Sequence, residues 1–181
     1  MIAVLLADGF EEIEALTPVD VLRRAGLDVK TVGINAKTVT GAHKIPVVCD
    51  ILTSEVVLDD VSLVIFPGGM PGAVNLDASP FTDVIIDAAI KNGGRIAAIC
   101  AAPLILGRRG LLKGKSATCY PGFEAELKGA AVCNAGVVTD GNITTARGMG
   151  VALDFSLELV SLILGEKKKN EIREAVKEEK K

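Results

Sequence analysis

The sequence predicts an α/β protein, built as a doubly wound sandwich with a mainly parallel sheet. Short apolar runs, each about the length of a buried strand, recur along the chain and alternate with longer segments of helical pattern. Turns rich in glycine or proline follow several of these runs. One run, residues 96–99, stops at a single cysteine, and a helical segment resumes almost at once. In such a sheet, ligands bind beyond the carboxyl ends of the strands.

The strands are predicted by their apolar or β-branched runs. These runs lie at residues 2–7, 28–33, 61–66, 96–99 and 116–119, around residue 132, and at 137–139 and 143–146. The last two are joined by Asp140-Gly141-Asn142, a strong hairpin signal. Residues 38–50 gather Thr and Val around Gly41 and Pro46, which predicts a β-hairpin outside the main sheet.

The helices are predicted by the residues at their ends. The first runs from about residue 11 to Arg24, with acids in its first turn and arginines in its last. Pro18 inside it predicts a kink or a break. A later helix has Ser79 as its cap and Pro80 at its first position, and it ends near Lys91.

The C-terminal part of the chain predicts one long helix and a charged tail. The helix covers about 151–164 and ends at Gly165. The last sixteen residues contain twelve charged side chains, with Ile172 and Val176 four positions apart, which predicts a solvated helix with a thin apolar seam. We see no internal repeat or boundary earlier in the chain. We therefore expect a single domain over residues 1–165 and a charged helical tail over 166–181.

Cys100 is the candidate nucleophile. It directly follows the run 96–99, and only two alanines and Pro103 separate it from a helical segment. Strand, tight turn, nucleophile and helix form the pattern of a nucleophile elbow, here with Cys in place of Ser. A thiol at a helix N-terminus is expected to have a lowered pKa. The alternative is a buried thiol that acts only as a small hydrophobic residue.

The turn after the run 61–66 is rich in glycine and reads Pro67-Gly68-Gly69-Met70-Pro71-Gly72. At the carboxyl end of a parallel strand, such a turn presents backbone N–H groups that can form half of an oxyanion hole. Plain turn chemistry is the alternative, since Pro and Gly are common turn residues. No Lys followed by Ser or Thr comes after the glycines, so this turn is not a phosphate-binding loop.

The composition bounds the class of protein. The chain has 181 residues, of which 49% are apolar and 24% charged, as expected of a globular domain. A net charge of −3, without a basic stripe interleaved with aromatics, argues against nucleic acid or an anionic membrane as a partner. The N-terminus lacks the features of a signal peptide, and we expect a cytoplasmic location and no membrane span. Four scattered cysteines, with no C-x-x-C pair, argue against a zinc site or a disulfide framework: Cys49, Cys100, Cys119 and Cys133.

Five segments, in this order, resemble the ThiJ/PfpI superfamily, and within it the branch of the Parkinsonism-associated deglycase and its bacterial relatives. They are 8–14 (DGFEEIE), 18–26 (PVDVLRRAG), 66–69 (FPGG), 97–103 (AAICAAP) and 145–148 (TARG). The resemblance covers residues 1 to about 165. It implies a flavodoxin-like sandwich that forms a homodimer and acts on a small carbonyl compound without a cofactor or a metal.

The resemblance also implies roles for particular residues. Cys100 would be the reactive, easily oxidised cysteine, and Glu14 the acid whose carboxyl group hydrogen-bonds the sulfur. The backbone N–H groups of Gly69 and Ala101 would form the oxyanion hole. Five further residues would line the pocket, with two of them, Arg24 and Lys44, at a rim beside the dimer contact: Gly68, Tyr120, Arg24, Lys44 and Arg147.

Glu14 has a plainer interpretation from the residues alone, as one of three acids that open a helix and complement its dipole. The resemblance instead implies a carboxyl group buried beside a thiolate. Burial and like charge would then raise the pKa of Glu14, so that it stays protonated and donates to the sulfur.

Two departures from the family pattern bear on mechanism. Tyr120 stands where the best-known member has a His, and a tyrosine hydroxyl, with an ordinary pKa of about 10, is a poor base at neutral pH. The chain's one histidine is His43, in the predicted hairpin. Ala101 stands where the protease-like branch has a His, so a Cys–His peptidase mechanism lacks its base.

Two hypotheses of function follow. The first is cofactor-free conversion of α-oxoaldehydes, or deglycation of their adducts, through Cys100 and Glu14. The second is a cysteine-based sensor of oxidative stress, or a chaperone without turnover. Both depend on the same two residues, so the sequence separates them poorly.

Overall fold

The computed structural model describes residues 1–177 as one central sheet with helices on both faces, together with two small two-stranded sheets. The strands are β1 (Ile2–Leu6), β2 (Val29–Gly33), β3 (Thr38–Thr40), β4 (Pro46–Val48), β5 (Ile51–Leu52), β6 (Leu63–Phe66), β7 (Arg95–Ile99), β8 (Ser116–Ala117), β9 (Ala131–Val132), β10 (Val137–Asp140) and β11 (Ile143–Ala146). The helices are α1 (Glu12–Arg24), α2 (Gly72–Ala78), α3 (Pro80–Lys91), α4 (Pro103–Arg108), α5 (Ala152–Leu164) and α6 (Glu166–Ala175), with short 3-10 turns between elements.

The central sheet has the strand order β10-β11-β7-β6-β1-β2-β5. All neighbouring strands in it are parallel except β10 and β11, which form the predicted hairpin. The fold class is therefore confirmed as a doubly wound α/β sandwich of the flavodoxin-like type. The carboxyl ends of β1, β6, β7 and β11 meet at one edge of the sheet, where a doubly wound fold places its ligand.

Each strand divides its side chains between two cores, because successive residues point to opposite faces of a sheet. On β1, Ala3 and Leu5 face the core shared with α2, α3 and α4. Ile2, Val4 and Leu6 face the core shared with α1 and α5. Both faces are buried, which explains why the strands are continuous apolar runs rather than alternating ones.

The hairpin predicted within residues 38–50 is confirmed. β3 and β4 pair antiparallel and lie outside the central sheet. The segment predicted as a strand at 116–119 is shorter than expected, since β8 covers only two residues, and it pairs with β9 in a second small sheet.

The structure corrects two details of the helices. The break predicted at Pro18 is wrong, because α1 is one helix through this residue, and packing of its buried face against the core outweighs the missing N–H. Ser79 occupies the predicted N-cap of α3, but its side chain makes no capping hydrogen bond. α2 was not expected, because its seven residues follow a turn of glycine and proline without a helical pattern of their own.

The tail is helical, as predicted, over α6, and residues 178–181 of the predicted tail lie outside the described part. Ile172 is buried in the core beside α1 and α5, and Val176 packs against the same core. No helix within residues 1–177 is long and apolar enough to cross a membrane.

Candidate active site

Cys100 lies on a sharp turn between β7 and α4. The strand ends at Ile99, the helix begins at Pro103, and Cys100 itself has a φ of 65°. A positive φ is uncommon for a residue with a side chain, and such strain is typical of nucleophile elbows. The turn is held on both sides, because the Cys100 N–H donates to Ala146 (2.9 Å) and the Tyr120 N–H donates to the Cys100 carbonyl (2.8 Å). The predicted elbow is present.

Glu14 lies beside this cysteine, in the first turn of α1. Its side chain is 1% exposed, and its carboxyl group shares a hydrogen bond with the Cys100 thiol. It also accepts the backbone N–H of Gly68 at 3.0 Å and that of Met149. The interpretation of Glu14 as a solvated acid is therefore wrong, and the structure brings the predicted pair together.

The loop after β6 contributes backbone N–H groups to the site. The N–H groups of Gly69 and Ala101 both hydrogen-bond the Cys100 sulfur, which is the arrangement expected of an oxyanion hole. Gly69 has a φ of 84°, and a methyl group there would lie 2.3 Å from the Glu11 nitrogen. A methyl group at Gly68 would lie 2.6 Å from both Cys100 Cβ and Glu14 Oε2. Only glycine lets the loop approach this closely.

The ionisation of the pair differs from the sequence-based prediction for Cys100. Burial raises the pKa of Cys100 to about 12, the charge and hydrogen bond of Glu14 add to the rise, and the N–H groups of Ala101 and Gly69 oppose it. The predicted lowering of the pKa is wrong because burial and Glu14 outweigh the two N–H groups, and α4 begins three positions later.

The pKa of Glu14 is raised, as the resemblance implied. Burial raises it to about 7, against hydrogen bonds from Cys100 and the Gly68 N–H that favour the carboxylate. The negative charge of Glu11 adds to the rise. The pair therefore loses the first of its two protons at about pH 7 and holds one above that pH, and the sulfur is a thiolate when Glu14 carries the remaining proton.

A cavity of about 350 Å³ adjoins the pair. It is lined by Tyr120, Pro121, Arg147, Gly148, Met149, Gly150 and Val151. A methyl group at Gly148 would lie 3.9 Å from Glu14 Oε1 and 3.3 Å from the Tyr120 ring, so this wall lies next to the buried carboxyl group. The volume is within the range of small-molecule sites.

Two of the predicted pocket cations lie elsewhere in the single chain. Lys44 lines a separate cavity of about 320 Å³ together with Asp8 and Met70. Arg24 is at the far end of α1, about 15 Å along the helix from Glu14, and it pairs with Asp20 at 2.6 Å. The prediction that Arg24 lines the pocket is thus not met within one chain.

His43 has a structural partner rather than a place beside the cysteine. Its ring Nδ1 lies 2.8 Å from Glu12 Oε2, and its backbone N–H donates to Glu12 Oε1 at 2.8 Å. Together with Glu11 these are the one group of potential metal-ligand side chains that residues 1–177 bring together, within 4.8 Å of one another. Because Glu12 is already hydrogen-bonded by the hairpin, we interpret it as the anchor of β3 and β4 on α1.

Sequence reasoning missed two contributions to the site. The Met149 N–H binds Glu14, yet a backbone group leaves no signal in the residue type. Glu11 acts on Glu14 through its charge, and its place among three acids at a helix start was the available hint.

An elbow cysteine at the carboxyl edge of a parallel sheet, with a buried carboxyl group and two N–H donors around its sulfur, defines a class of α/β proteins with a cysteine at a strand-to-helix elbow. Comparison with known sequences supports the same class and narrows it. A profile of the DJ-1/PfpI family matches residues 1–162, and the chain belongs to this family.

Individual relatives cover nearly the whole chain. Protein dj-1beta of Drosophila melanogaster is 36% identical over 93% of this chain and 92% of its own length. The glutathione-independent glyoxalase DJR-1.2 of Caenorhabditis elegans is 31% identical, over 90% and 87% respectively. A deglycase of Pyrococcus abyssi is 32% identical, over 90% and 98%.

Solved structures have the same fold. The crystal structure of Drosophila melanogaster DJ-1beta has a TM-score of 0.92 at 34% identity and covers 97% of this chain and 96% of that one. Oxidized Toxoplasma gondii DJ-1 has a TM-score of 0.91 at 30% identity, with the same coverage. These comparisons extend the similarity beyond residue 165, into the helical tail.

Proposed function

We propose that this protein converts small α-oxoaldehydes to 2-hydroxy acids without a cofactor, with Cys100 as the nucleophile. The observation that carries the proposal is the buried Glu14 carboxyl group, hydrogen-bonded to the Cys100 thiol and with a pKa raised to about 7. A general acid–base group is most effective when its pKa lies near the working pH. The names of two relatives, a glyoxalase and a deglycase, support the same chemistry.

The reaction would proceed in three steps. The Cys100 thiolate adds to the aldehyde carbon, and the oxyanion that forms accepts hydrogen bonds from the N–H groups of Gly69 and Ala101 and then the proton of Glu14, which gives a hemithioacetal. Glu14, now a carboxylate, takes the proton from this carbon and returns it to the neighbouring carbonyl carbon, while the hydroxyl proton passes to the oxygen of that carbonyl, which leaves a thioester of a 2-hydroxy acid. Water hydrolyses the thioester and restores the thiol, so one water is consumed for each aldehyde.

The experiment is a turnover assay in which methylglyoxal is supplied and lactate is followed by proton NMR. The parent protein should form lactate, and Cys100→Ser should form none above background. Cys49→Ser is the matched control, since this cysteine is buried elsewhere and should be dispensable. Equal lactate formation by the parent and Cys100→Ser would contradict the proposal.

The second candidate function is oxidation sensing, favoured by the donors around the sulfur. A sulfinate at Cys100 would accept hydrogen bonds from the N–H groups of Gly69 and Ala101 and from the protonated carboxyl group of Glu14. One solved relative is described as oxidized. Mild peroxide should then add two oxygens to Cys100, seen by peptide mass, and Glu14→Leu should change that end state. Identical oxidation of parent and variant would remove Glu14 from this role.

Peptidase activity has little support in the site. The residue after Cys100 is Ala101. The one histidine of the sequence, His43, lies on the hairpin and is bound to Glu12 of α1. A cysteine peptidase needs a histidine within reach of the sulfur.

We also propose a homodimer. α1 exposes Ile13 and Leu16, and β4 exposes Val48 at 70%, and the turn that precedes β4 contacts α1 where the His43 N–H donates to Glu12. Exposed apolar side chains on adjoining elements are typical of an interaction surface. Light scattering should give twice the chain mass, and Ile13→Glu should reduce it.

The places of Lys44 and Arg24 at the rim of the pocket and the cytoplasmic location stay predictions from the sequence.

A further inference from the structure

Arg147 follows directly after β11, next to the strand that carries the nucleophile. β11 pairs with β7, and the Cys100 N–H donates to the carbonyl of Ala146, the residue before Arg147. The Arg147 N–H in turn donates to Gly136 at 2.9 Å. The backbone of this arginine is therefore fixed one residue away from the backbone contact that fixes the elbow.

Arg147 has a neutral hydrogen-bond partner, whereas four other arginines of the chain have carboxylate partners. Arg23, Arg24, Arg108 and Arg109 each pair with at least one carboxylate. The Arg147 guanidinium instead donates to the amide oxygen of Asn134, and within residues 1–177 it forms no ion pair with an acid. A guanidinium has five N–H donors, and a neutral amide oxygen leaves its charge uncompensated.

Arg147 lines the cavity whose wall at Gly148 lies near Glu14 and whose Tyr120 donates its N–H to the Cys100 carbonyl. It also lines a second cavity, of about 210 Å³, with Asn134 and Glu124. The other side chains of the first cavity's wall are apolar or aromatic: Tyr120, Pro121, Met149 and Val151. Arg147 is the one charged side chain among these lining residues. A small apolar pocket with a single convergent charge selects ligands that carry the opposite charge.

We infer that Arg147 determines specificity by binding a carboxylate on the substrate, so that this site prefers aldehydes with an anionic group remote from the carbonyl. The inference rests on the proposed function only in taking Cys100 as the atom that meets the aldehyde. Arginine suits this role because its planar fork binds a carboxylate through two parallel hydrogen bonds.

The test uses benzaldehyde and 4-carboxybenzaldehyde as probes of binding. Each can form a reversible hemithioacetal, in which the thiol sulfur bonds to the carbonyl carbon and the thiol proton passes to the oxygen, and each thereby protects Cys100 from iodoacetamide. Protection is followed by peptide mass. The quantity of interest is the ratio of the two concentrations that give half protection, measured in the parent, Arg147→Gln, Arg147→Lys and Arg95→Gln.

The carboxylated aldehyde should half-protect the parent at a concentration about tenfold lower than benzaldehyde, since a charge-assisted hydrogen bond is worth a factor of about ten or more in affinity. Arg147→Gln should bring the ratio close to one, and Arg147→Lys should keep part of it. Arg95→Gln is the matched control and should keep the parent ratio, because Arg95 also donates to a neutral oxygen, that of Gly141, at the opposite end of β7. Added salt should reduce the ratio in the parent.

A ratio near one in the parent, a preference that survives in Arg147→Gln, or no protection by either aldehyde would overturn the inference. Lactate formation is measured separately. A protein that shows the charge preference but makes no lactate would contradict the proposed turnover and leave the role of Arg147 intact. A protein that makes lactate without the charge preference would support the proposed turnover and contradict the role of Arg147.

Discussion

Cys49 and Cys100 have similar local sequences and very different surroundings. Each directly follows a strand, β4 or β7, and burial raises the pKa of each, to about 11 and about 12. Cys49 is 2% exposed and continues the hairpin, with its N–H bonded to Lys37. Cys100 is on a turn of positive φ, and its sulfur is hydrogen-bonded by two N–H groups and by a carboxyl group. The comparison teaches that the turn after the strand, rather than burial or pKa alone, makes a cysteine a candidate nucleophile.

The largest expected effect is in the alkylation of these two thiols. At pH 7.5, iodoacetamide should modify Cys100 at least about a hundredfold faster than Cys49, because Cys49 is 2% exposed whereas Cys100 is partly exposed on its turn, and access outweighs the somewhat higher pKa of Cys100. Time-resolved peptide mass spectrometry of the native protein measures both rates in one sample. Comparable rates would remove the distinction between the two sites.

Gly68→Ala should have the next largest effect. The added methyl group would lie 2.6 Å from both Cys100 Cβ and Glu14 Oε2, so the N–H loop must move away from the sulfur. We expect lactate formation to fall about 10²–10³-fold, the usual cost of losing an oxyanion donor.

Gly93→Ala is the control for that substitution. Gly93 has a φ of 66° but open space around it, so a methyl group there should cost about 1 kcal/mol of stability and no turnover. Equal losses of turnover in the two variants would mean that Gly68 acts only through general stability.

The pH dependence of Cys100 alkylation should sharpen the comparison further. In the parent, the rate should rise through about pH 7, where the Glu14–Cys100 pair loses its first proton, then level off, and rise again as pH approaches 12. In Glu14→Gln the carboxylate charge is gone, so a single rise should occur with its midpoint below 12. A parent profile with no rise near pH 7 would show that the thiol never shares the proton of Glu14.

The same buried acid should also affect stability. Because its pKa is raised from 4.5 to about 7, Glu14 favours folding below pH 4.5, and this contribution is lost as pH rises through about 7. Glu14→Gln should therefore gain stability relative to the parent between pH 4.5 and pH 8, by about 3 kcal/mol at most. Urea unfolding of both proteins at the two pH values measures this difference, and a constant gap would contradict it.

The smallest effect is expected at Tyr120. Its backbone N–H holds the Cys100 carbonyl whatever the side chain is, and its side chain is half exposed at the cavity wall. Tyr120→Phe should therefore change lactate formation by less than about threefold, within the range of a surface substitution. A loss of a hundredfold or more would show that the hydroxyl takes part in proton transfer.

Much of the fold could be predicted from the sequence because its signals are local. The buried strands are continuous apolar runs, Pro80 marks the start of α3, and Asp140-Gly141-Asn142 marks the hairpin of β10 and β11. The elbow at Cys100 was likewise visible, since a strand-like run, small residues and a proline occur side by side.

The rest depends on contacts between distant segments, which no local pattern records. The pKa of Cys100 is decided by burial and by Glu14, 86 positions earlier in the chain, rather than by the helix that follows. The unbroken course of α1 through Pro18 depends on the core against which that face is packed. Burial of Glu14 itself was expected only from the family resemblance, because three acids at a helix start look alike until tertiary packing separates them.

The register of β7 limits how this protein tolerates insertions and deletions. Cys100 is the first residue after the strand, and Ile96 to Ile99 are each matched to a partner on β11. One residue added or removed within β7 would move the sulfur by about 3.3 Å and exchange the two cores, since side chains alternate along a strand. The segment between β5 and β6, residues 53–60, is exposed or half-buried, and its hydrogen bonds go to residues outside the candidate site. Length changes there are the ones that directed evolution of this scaffold can explore first.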